Sequence, residues 1–461
     1  MTELHTGMQE FKEQIQRIKD KLTKAGKADR KRKVFGANSH QYKINQPVSL
    51  HEVTDFETRC NVTLPDCFKA FLLEIGNGGP SHENSAAGPF YGIYPLGENT
   101  GELLENGEQY FASPAKLHPG ISKTEWEELT KQLNSDDITD EDYEKERGRL
   151  YGGILPIGSQ GCTYLHGLML NGPHTGKVVN LDLDMQQPQF TYEANFLDWY
   201  ERWLDEILSG DLLADGPSWF GYNIGGSVTV LLEKYHATAQ MADKQTCIYG
   251  ILNKRLVERE EILRFEQAYL AAPEALKKPW LQTLSKFNYA IAQPHLSAYC
   301  DVDLLTVLQC VHWYAKDKSR DWQDVISSRM HTIDNDETFT FGMYLLEKAK
   351  ASYGDLITPM AAHSNERIRA TTMYSLGKLK NKSVYTNVFI RGLQDTCNRV
   401  ILYALQALSG IRNKRLLPVY KQLQERFPVE EDYILSNLKQ RLSEYKMTME
   451  DLRQMTFSEE K

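Results

Sequence analysis

Apolar residues recur at helical spacing from the start of the chain. Within 8–33, Phe11, Ile15, Ile18 and Leu22 fall on one helical face, and the segment closes with Arg30-Lys31-Arg32-Lys33. That cationic run reads either as a nucleic-acid or membrane patch or as a solvated helix end; the solvated end is the expectation. Leu50, Val53 and Phe56 give a second helical period. Pro65 opens a third piece, because a first helical turn tolerates proline, and Phe68, Phe71, Leu72 and Ile75 follow. This piece ends in Asn77-Gly78-Gly79-Pro80. A phosphate-cradling loop needs its glycines before a helix, where N–H groups point at the anion. Here they come after it, so they terminate the helix through left-handed conformations.

The pattern then changes. Residues 90–111 read as strands and turns. Residues 121–150 read as a charged helical insertion, with capping-box spacing at Ser122/Glu125 and a weaker version at Thr139/Asp142. Over 151–193, GILPIG, TYLHGLML, KVVNLDLD and PQFTYE are short apolar or alternating runs broken by Gly, Pro and Asn, which predicts strands. An amphipathic helix over 195–208 follows, its apolar face built from Phe196, Leu197, Trp199, Tyr200, Trp203, Leu204 and Ile207. Gly216, Pro217, Gly221, Gly225 and Gly226 mark a linker over 211–226.

From 227 to 461 the pattern is helical throughout. Residues 364–382 and 396–414 align at an offset of 32, pairing Arg367 with Arg399, Leu376 with Leu408 and Asn381-Lys382 with Asn413-Lys414. A period of this length predicts stacked helical hairpins. Such arrays need at least about three units, so 227–355 is expected to supply diverged repeats or a helical cap.

Charge divides the chain unevenly. Residues 1–44 carry 11 Lys/Arg against 5 Asp/Glu, residues 45–210 carry 10 against 27, and the remainder 32 against 30, for a net −9. An acidic segment of this kind repels nucleic acid and attracts basic proteins. No apolar run is long enough for a membrane span, and the N-terminus lacks a signal-peptide core, so the cytoplasm is the expected location. Seven cysteines in no C-x-x-C pair predict reduced thiols and neither a disulfide framework nor a zinc site.

No catalytic constellation emerges. Gly158-Ser159-Gln160-Gly161 lacks nucleophile-elbow spacing, and 172–177 (GPHTGK) is one residue short of a phosphate loop. Asp182 and Asp184 share a strand face without a third ligand at usable spacing. No cofactor or metal and no enzyme activity are expected.

The run LPDCFKAFLLEIGNGG resembles the signature helix of the SUKH superfamily in its Smi/Knr-type branch, through Leu64, Pro65, Phe68, Phe71, Leu72, Asn77, Gly78 and Gly79. A second block agrees through Leu155, Pro156, Ile157, Gly158, Gly161, Gly176-Lys177-Val178 and Asp182, and the 195–208 helix also fits. The resemblance covers roughly 45–210 and departs from the family at the long acidic insertion over 98–150. It implies an α+β domain with a mostly antiparallel sheet and flanking helices. It further implies an immunity protein that binds a bacterial polymorphic or contact-dependent toxin, often a nuclease; in fungi a related domain serves cell-wall and signalling regulation. The C-terminal repeat resembles HEAT repeats, with Ile368-Arg369 at that family's Val-Arg position and Val400-Ile401 in the second copy.

The expectation is therefore α+β followed by all-α: a basic helix and linker over 1–44, a SUKH-like domain over 45–210, a linker over 211–226 and a HEAT-like domain over 227–461. The expected partner is a basic toxin, with neither nucleic acid nor membrane. The candidate contacts are Glu125, Glu127, Glu128, Asp136, Asp137, Asp140, Glu141 and Asp142, with Trp126 and Tyr143 as aromatic anchors. A solvated insertion is the competing reading of that cluster. A regulatory scaffold, or an enzyme whose site is assembled from distant residues, are the competing functions.

Overall fold

The computed structural model describes residues 10–213, 219–427 and 432–457. It divides into two compact units, Met1–Glu261 and Ile262–Lys461.

In the first unit, α1 (Lys12–Ala28) and a short turn α2 (Ala37–His40) precede α3 (Leu50–Cys60) and α4 (Asp66–Glu74). Helices α5 (Lys123–Leu129) and α6 (Asp140–Leu150) follow, then the antiparallel sheet β1 (Ile154–Gly161), β2 (Tyr164–Met169), β3 (Val178–Asp182) and β4 (Gln189–Phe190) in spatial order 1-2-3-4. Helix α7 (Phe196–Leu208) closes the sheet region, and α8 (Val228–Ala237) and α9 (Met241–Leu252) complete the described helices of the unit. All four expected strands are present. Residues 90–111 are not regular strands: they form one isolated bridge, Ala86 to Ile93, and a 3-10 turn at Gly107–Tyr110.

Both faces of the sheet carry large apolar side chains and both are covered. Leu155, Ile157, Leu168 and Val178 face a core shared with Ile18, Phe56, Phe71, Phe196, Tyr200 and Trp203. The alternate positions Ile154, Leu165, Met169, Val179 and Leu181 face a second core shared with Leu103, Trp126, Leu133 and Leu150. A strand period of two places successive residues on opposite faces, so β1, β2 and β3 each feed both cores.

The family-type residues have structural reasons. Leu64, Pro65 and Phe71 are buried around α4. Asn77 Oδ1 accepts from Leu96 N at 2.8 Å, and Gly78 adopts φ +69° at the end of this helix. Gly79 N donates to Asn84 O at 2.7 Å, which joins the turn to the next loop. On β1, Pro156 lies in an edge strand, where proline is tolerated. Tyr91 N and Tyr94 N donate to Ser159 O and Ile157 O, and a Cβ at Gly158 would stand 2.2 Å from Gly92 O. Gly161 closes the β1–β2 hairpin, and Gly176 sits beside Cys67.

The expected outer segments belong to this same core. Ile15, Ile18 and Ala25 of α1 are buried in it. Arg17 and Lys21 each reach Glu201 at 2.8 Å, and Lys21 also pairs with Asp205. Burial raises the Glu201 carboxyl, but hydrogen bonds from Arg17 and Lys21 outweigh it and hold the group below its ordinary range. The described residues of 211–226 also pack on this unit. Phe220 is buried, Arg202 Nη2 donates to Asn223 O at 2.7 Å and Tyr222 Oη to Gln160 Oε1 at 3.0 Å. Gly216 and Pro217 lie outside the described residues. The compact division falls instead at 261/262.

The second unit is all-helical. It opens with α10 (Arg259–Ala271), α11 (Glu274–Phe287) and α12 (Tyr289–Tyr299). The leading helices α13 (Leu304–Tyr314), α15 (Asp336–Ala349), α17 (Glu366–Gly377), α19 (Asn398–Ala407) and α21 (Asp432–Glu444) begin about 30–34 residues apart, a hairpin-repeat period. The partners α14 (Gln323–Arg329), α16 (Gly354–Ile357), α18 (Thr386–Leu393), α20 (Leu416–Arg426) and α22 (Met449–Gln454) return between and after them. Residues 304–357 therefore supply the diverged repeats. Asp303, Asn335 and Asn365 cap successive leading helices. Arg369 forms a bidentate pair with Asp395 at 2.7 and 2.8 Å, fastening the start of one repeat to the loop before the next. In the second copy Ile401 replaces this arginine and is buried.

Two outcomes test this packing. Gly158→Ala should destabilise the first unit by about 2 kcal/mol or more, because the new Cβ must displace the 92 carbonyl; a wild-type urea midpoint would contradict it. Burial also lowers the His40 imidazole to about 4 and that of His166 to about 3, against an ordinary 6.5. Both are depressed, so their contribution is full above about pH 6.5 and is lost as pH falls, by up to roughly 3 kcal/mol for His40 near pH 4. The urea midpoint should decline across that window, and His40→Gln with His166→Gln should flatten the decline; an equally steep decline in that variant would contradict it.

Candidate functional site

The acidic insertion is held by its own amphipathic spacing. Trp126, Leu129 and Leu133 recur at i, i+3 and i+7, and they turn inward onto the second core. Ser122 caps α5 in a reciprocal box with Glu125, and Thr139 Oγ1 accepts from Asp142 N at 3.2 Å to cap α6. The helices thus lie on the sheet with their acids outward.

Trp126 is not a surface anchor. It is only 6% exposed, and its Nε1 donates to Met185 O at 3.0 Å. An indole that size is worth more to the core than to solvent, which corrects its expected role. Tyr143 is half-buried against the same core, with the Arg147 guanidinium 5.7 Å from its ring centre, so it offers the surface one edge.

The eight acids divide by what holds them. Glu125 also meets His118 Nε2 at 3.0 Å, and that hydrogen bond with the Ser122 cap holds its carboxyl below the ordinary range. Glu127 and Glu128 pair with Lys123 and Lys131 at 3.7 Å, exposed contacts worth about 1 kcal/mol or less. Asp142 accepts from Thr139 Oγ1 at 2.9 Å. Asp136, Asp137, Asp140 and Glu141 are exposed and have no ion pair among the described residues. Asp140, Glu141 and Asp142 also occupy the first turn of α6, where the dipole favours negative charge. The arrangement is therefore a negative surface suited to meeting a positive one, with Lys123, Lys131, Lys145 and Arg149 interleaved.

A buried polar row on the opposite face of the sheet was not foreseen. Gln160 Nε2 donates to Asn180 Oδ1 at 2.9 Å, and His166 Nδ1 lies 3.1 Å from that same oxygen. Tyr222 joins through Gln160, so the row anchors the segment after α7. The signal lay in the alternation: His166 and Asn180 share parity with Leu168 and Val178, which face the first core. Asp182 is buried in this row's register and accepts from Asp184 N at 3.0 Å, while Asp184 is exposed. Among the described residues no group of three His, Cys, Asp or Glu is placed to hold a metal. Lys177 of the glycine-bounded loop donates to Glu193 O.

The model of the SMI1 / KNR4 family (SUKH-1) matches residues 47–202, so that stretch is a domain of this type. No curated protein and no solved structure matches the chain.

Removing Trp126 should cost stability. Trp126→Ala should lower the unfolding free energy by about 3–5 kcal/mol, whereas Asp136→Asn, Asp137→Asn, Asp140→Asn and Glu141→Gln should each change it by about 1 kcal/mol or less. Equal losses from the two sets in a denaturant titration would contradict this division.

Proposed function

We propose that this protein is an immunity-type binding protein. It neutralises a basic toxin, of nuclease type, by covering the toxin's cationic cleft without catalysis. The observation that carries the reading is the exposed quartet Asp136, Asp137, Asp140 and Glu141 on a base fixed by buried Trp126 and Leu133. Rigid charge of one sign accelerates encounter with the opposite sign and rejects like-charged surfaces. The SUKH-1 match over 47–202 supports the same reading at the level of the domain.

A second reading has its own observation. On four of the five leading helices of the repeats, Trp313, Tyr344, Tyr374 and Tyr433 are 43–48% exposed. Tyr344, Tyr374 and Tyr403 border a cavity of about 270 Å³. Aromatics gathered at this cavity favour a scaffold that docks a partner through the repeats.

Co-expression separates the two. The full chain should rescue growth of cells making a cognate basic nuclease toxin. The variant carrying Asp136→Lys, Asp137→Lys, Asp140→Lys and Glu141→Lys should lose rescue at unchanged abundance and slow association by roughly tenfold or more at low salt. Rescue kept by that variant but lost with Tyr344→Ala and Tyr374→Ala would transfer the function to the repeats.

A further inference from the structure

A cavity of about 310 Å³ lies where α1 ends. Its lining gathers five cationic side chains: Lys27, Arg30, Lys31 and Lys33 from the end of α1 and the following loop, and Arg255 from the loop after α9. Four of the five belong to one basic run over 27–33, and Arg255 joins them from a distant part of the sequence.

Two carboxylates, Asp29 in the lining and Asp211 beside Arg255, fix the backbone around the cavity. Asp29 is 3% exposed, and its oxygens accept from Lys33 N at 2.7 Å, Val34 N at 3.1 Å and Tyr42 Oη at 2.8 Å. Its lone pairs are thus turned into the loop. Asp211 accepts from Arg255 N at 2.9 Å and Lys254 Nζ at 2.9 Å, which fixes the backbone that presents Arg255. Burial raises the Asp211 carboxyl, but these two donors outweigh it and keep it ionised. The negative pole of α1 opposes an anion here, yet Asp29 N already occupies Ala25 O at 2.9 Å.

Cations drawn around a concavity repel one another and focus a positive potential within it. Guanidinium forks and ammonium groups match phosphate oxygens, and the volume lies at the lower end of small-ligand cavities. We propose that this cavity binds a phosphate-bearing small molecule through a polyphosphate chain, whether free or carried by a nucleoside. Lys27, Arg30, Lys31 and Arg255 grip the phosphates, and Leu213 with Ala28 supplies the apolar wall. The site uses none of the acids on α5 and α6, so it stands independently of the toxin reading.

Calorimetry on the full chain at low salt tests it, with ATP, inorganic triphosphate, adenosine and sulfate as probes. ATP and triphosphate should bind one site, adenosine should not bind, and sulfate should bind roughly tenfold more weakly or worse. ATP tighter than triphosphate supports the nucleoside-borne source, and equal affinity the free chain. The Arg30→Gln, Arg255→Gln double variant should lose roughly tenfold or more in affinity at an unchanged melting midpoint. The Lys123→Gln, Lys131→Gln variant should bind as the wild type does. No binding by ATP or triphosphate, sulfate binding as tightly, or undiminished affinity in the double variant would overturn the proposal. A single-stranded oligonucleotide bound tightly and not displaced by ATP would overturn it in favour of nucleic acid.

Discussion

A four-stranded sheet with large apolar side chains on both faces must be covered twice. In this protein α1, α4 and α7 lie over one core, and the insertion helices α5 and α6 cover the other. Fully burying one large apolar side chain is worth roughly 1.5–3 kcal/mol, so exposing Ile154, Leu165, Met169, Val179 and Leu181 would cost several such amounts. The insertion is therefore a structural layer. Because its inner side is committed to Trp126, Leu133 and Leu150, its acids have only the outer side available.

The same packing sorts the charge. Helix α7 places Trp199, Tyr200 and Trp203 inward and Glu201 and Asp205 toward α1, whose Arg17 and Lys21 meet them. Arg202 answers Glu193 and Glu206, both at 2.7 Å. Acids on that side are thus satisfied internally. Of the eight acids over 125–142, five have no ion pair among the described residues, and residues 98–150 as a whole carry 14 Asp/Glu against 6 Lys/Arg.

Much of this was legible because it depends on local periodicity. Alternation located the strands, Leu64-Pro65 and Asn77-Gly78-Gly79 framed α4, and the offset of 32 marked the repeats. What escaped reading depends on contacts between distant segments. Trp126 stands among acids and looks like a surface aromatic; only its partners at 129 and 133 betray an inward face. The charge of α1 concealed its role as a core helix, although Ile15 and Ile18 carried the signal. The glycines after 210 suggested a separating linker because composition says nothing of Phe220, Tyr222 or Asn223 finding partners on the sheet domain. Three of the five leading repeat helices had diverged beyond recognition in sequence; their spacing recovers them, with the Asp303 and Asn335 caps marking two.

Packing and charge meet at one place: a layer that closes a core on one side and presents carboxylates without ion pairs on the other. Hydrogen exchange on the full chain, with and without a cognate basic toxin domain, addresses this most directly. The account predicts slowed exchange on binding across 123–150. Protection confined to the helical repeats from 304 onward, with 123–150 unchanged, would contradict it.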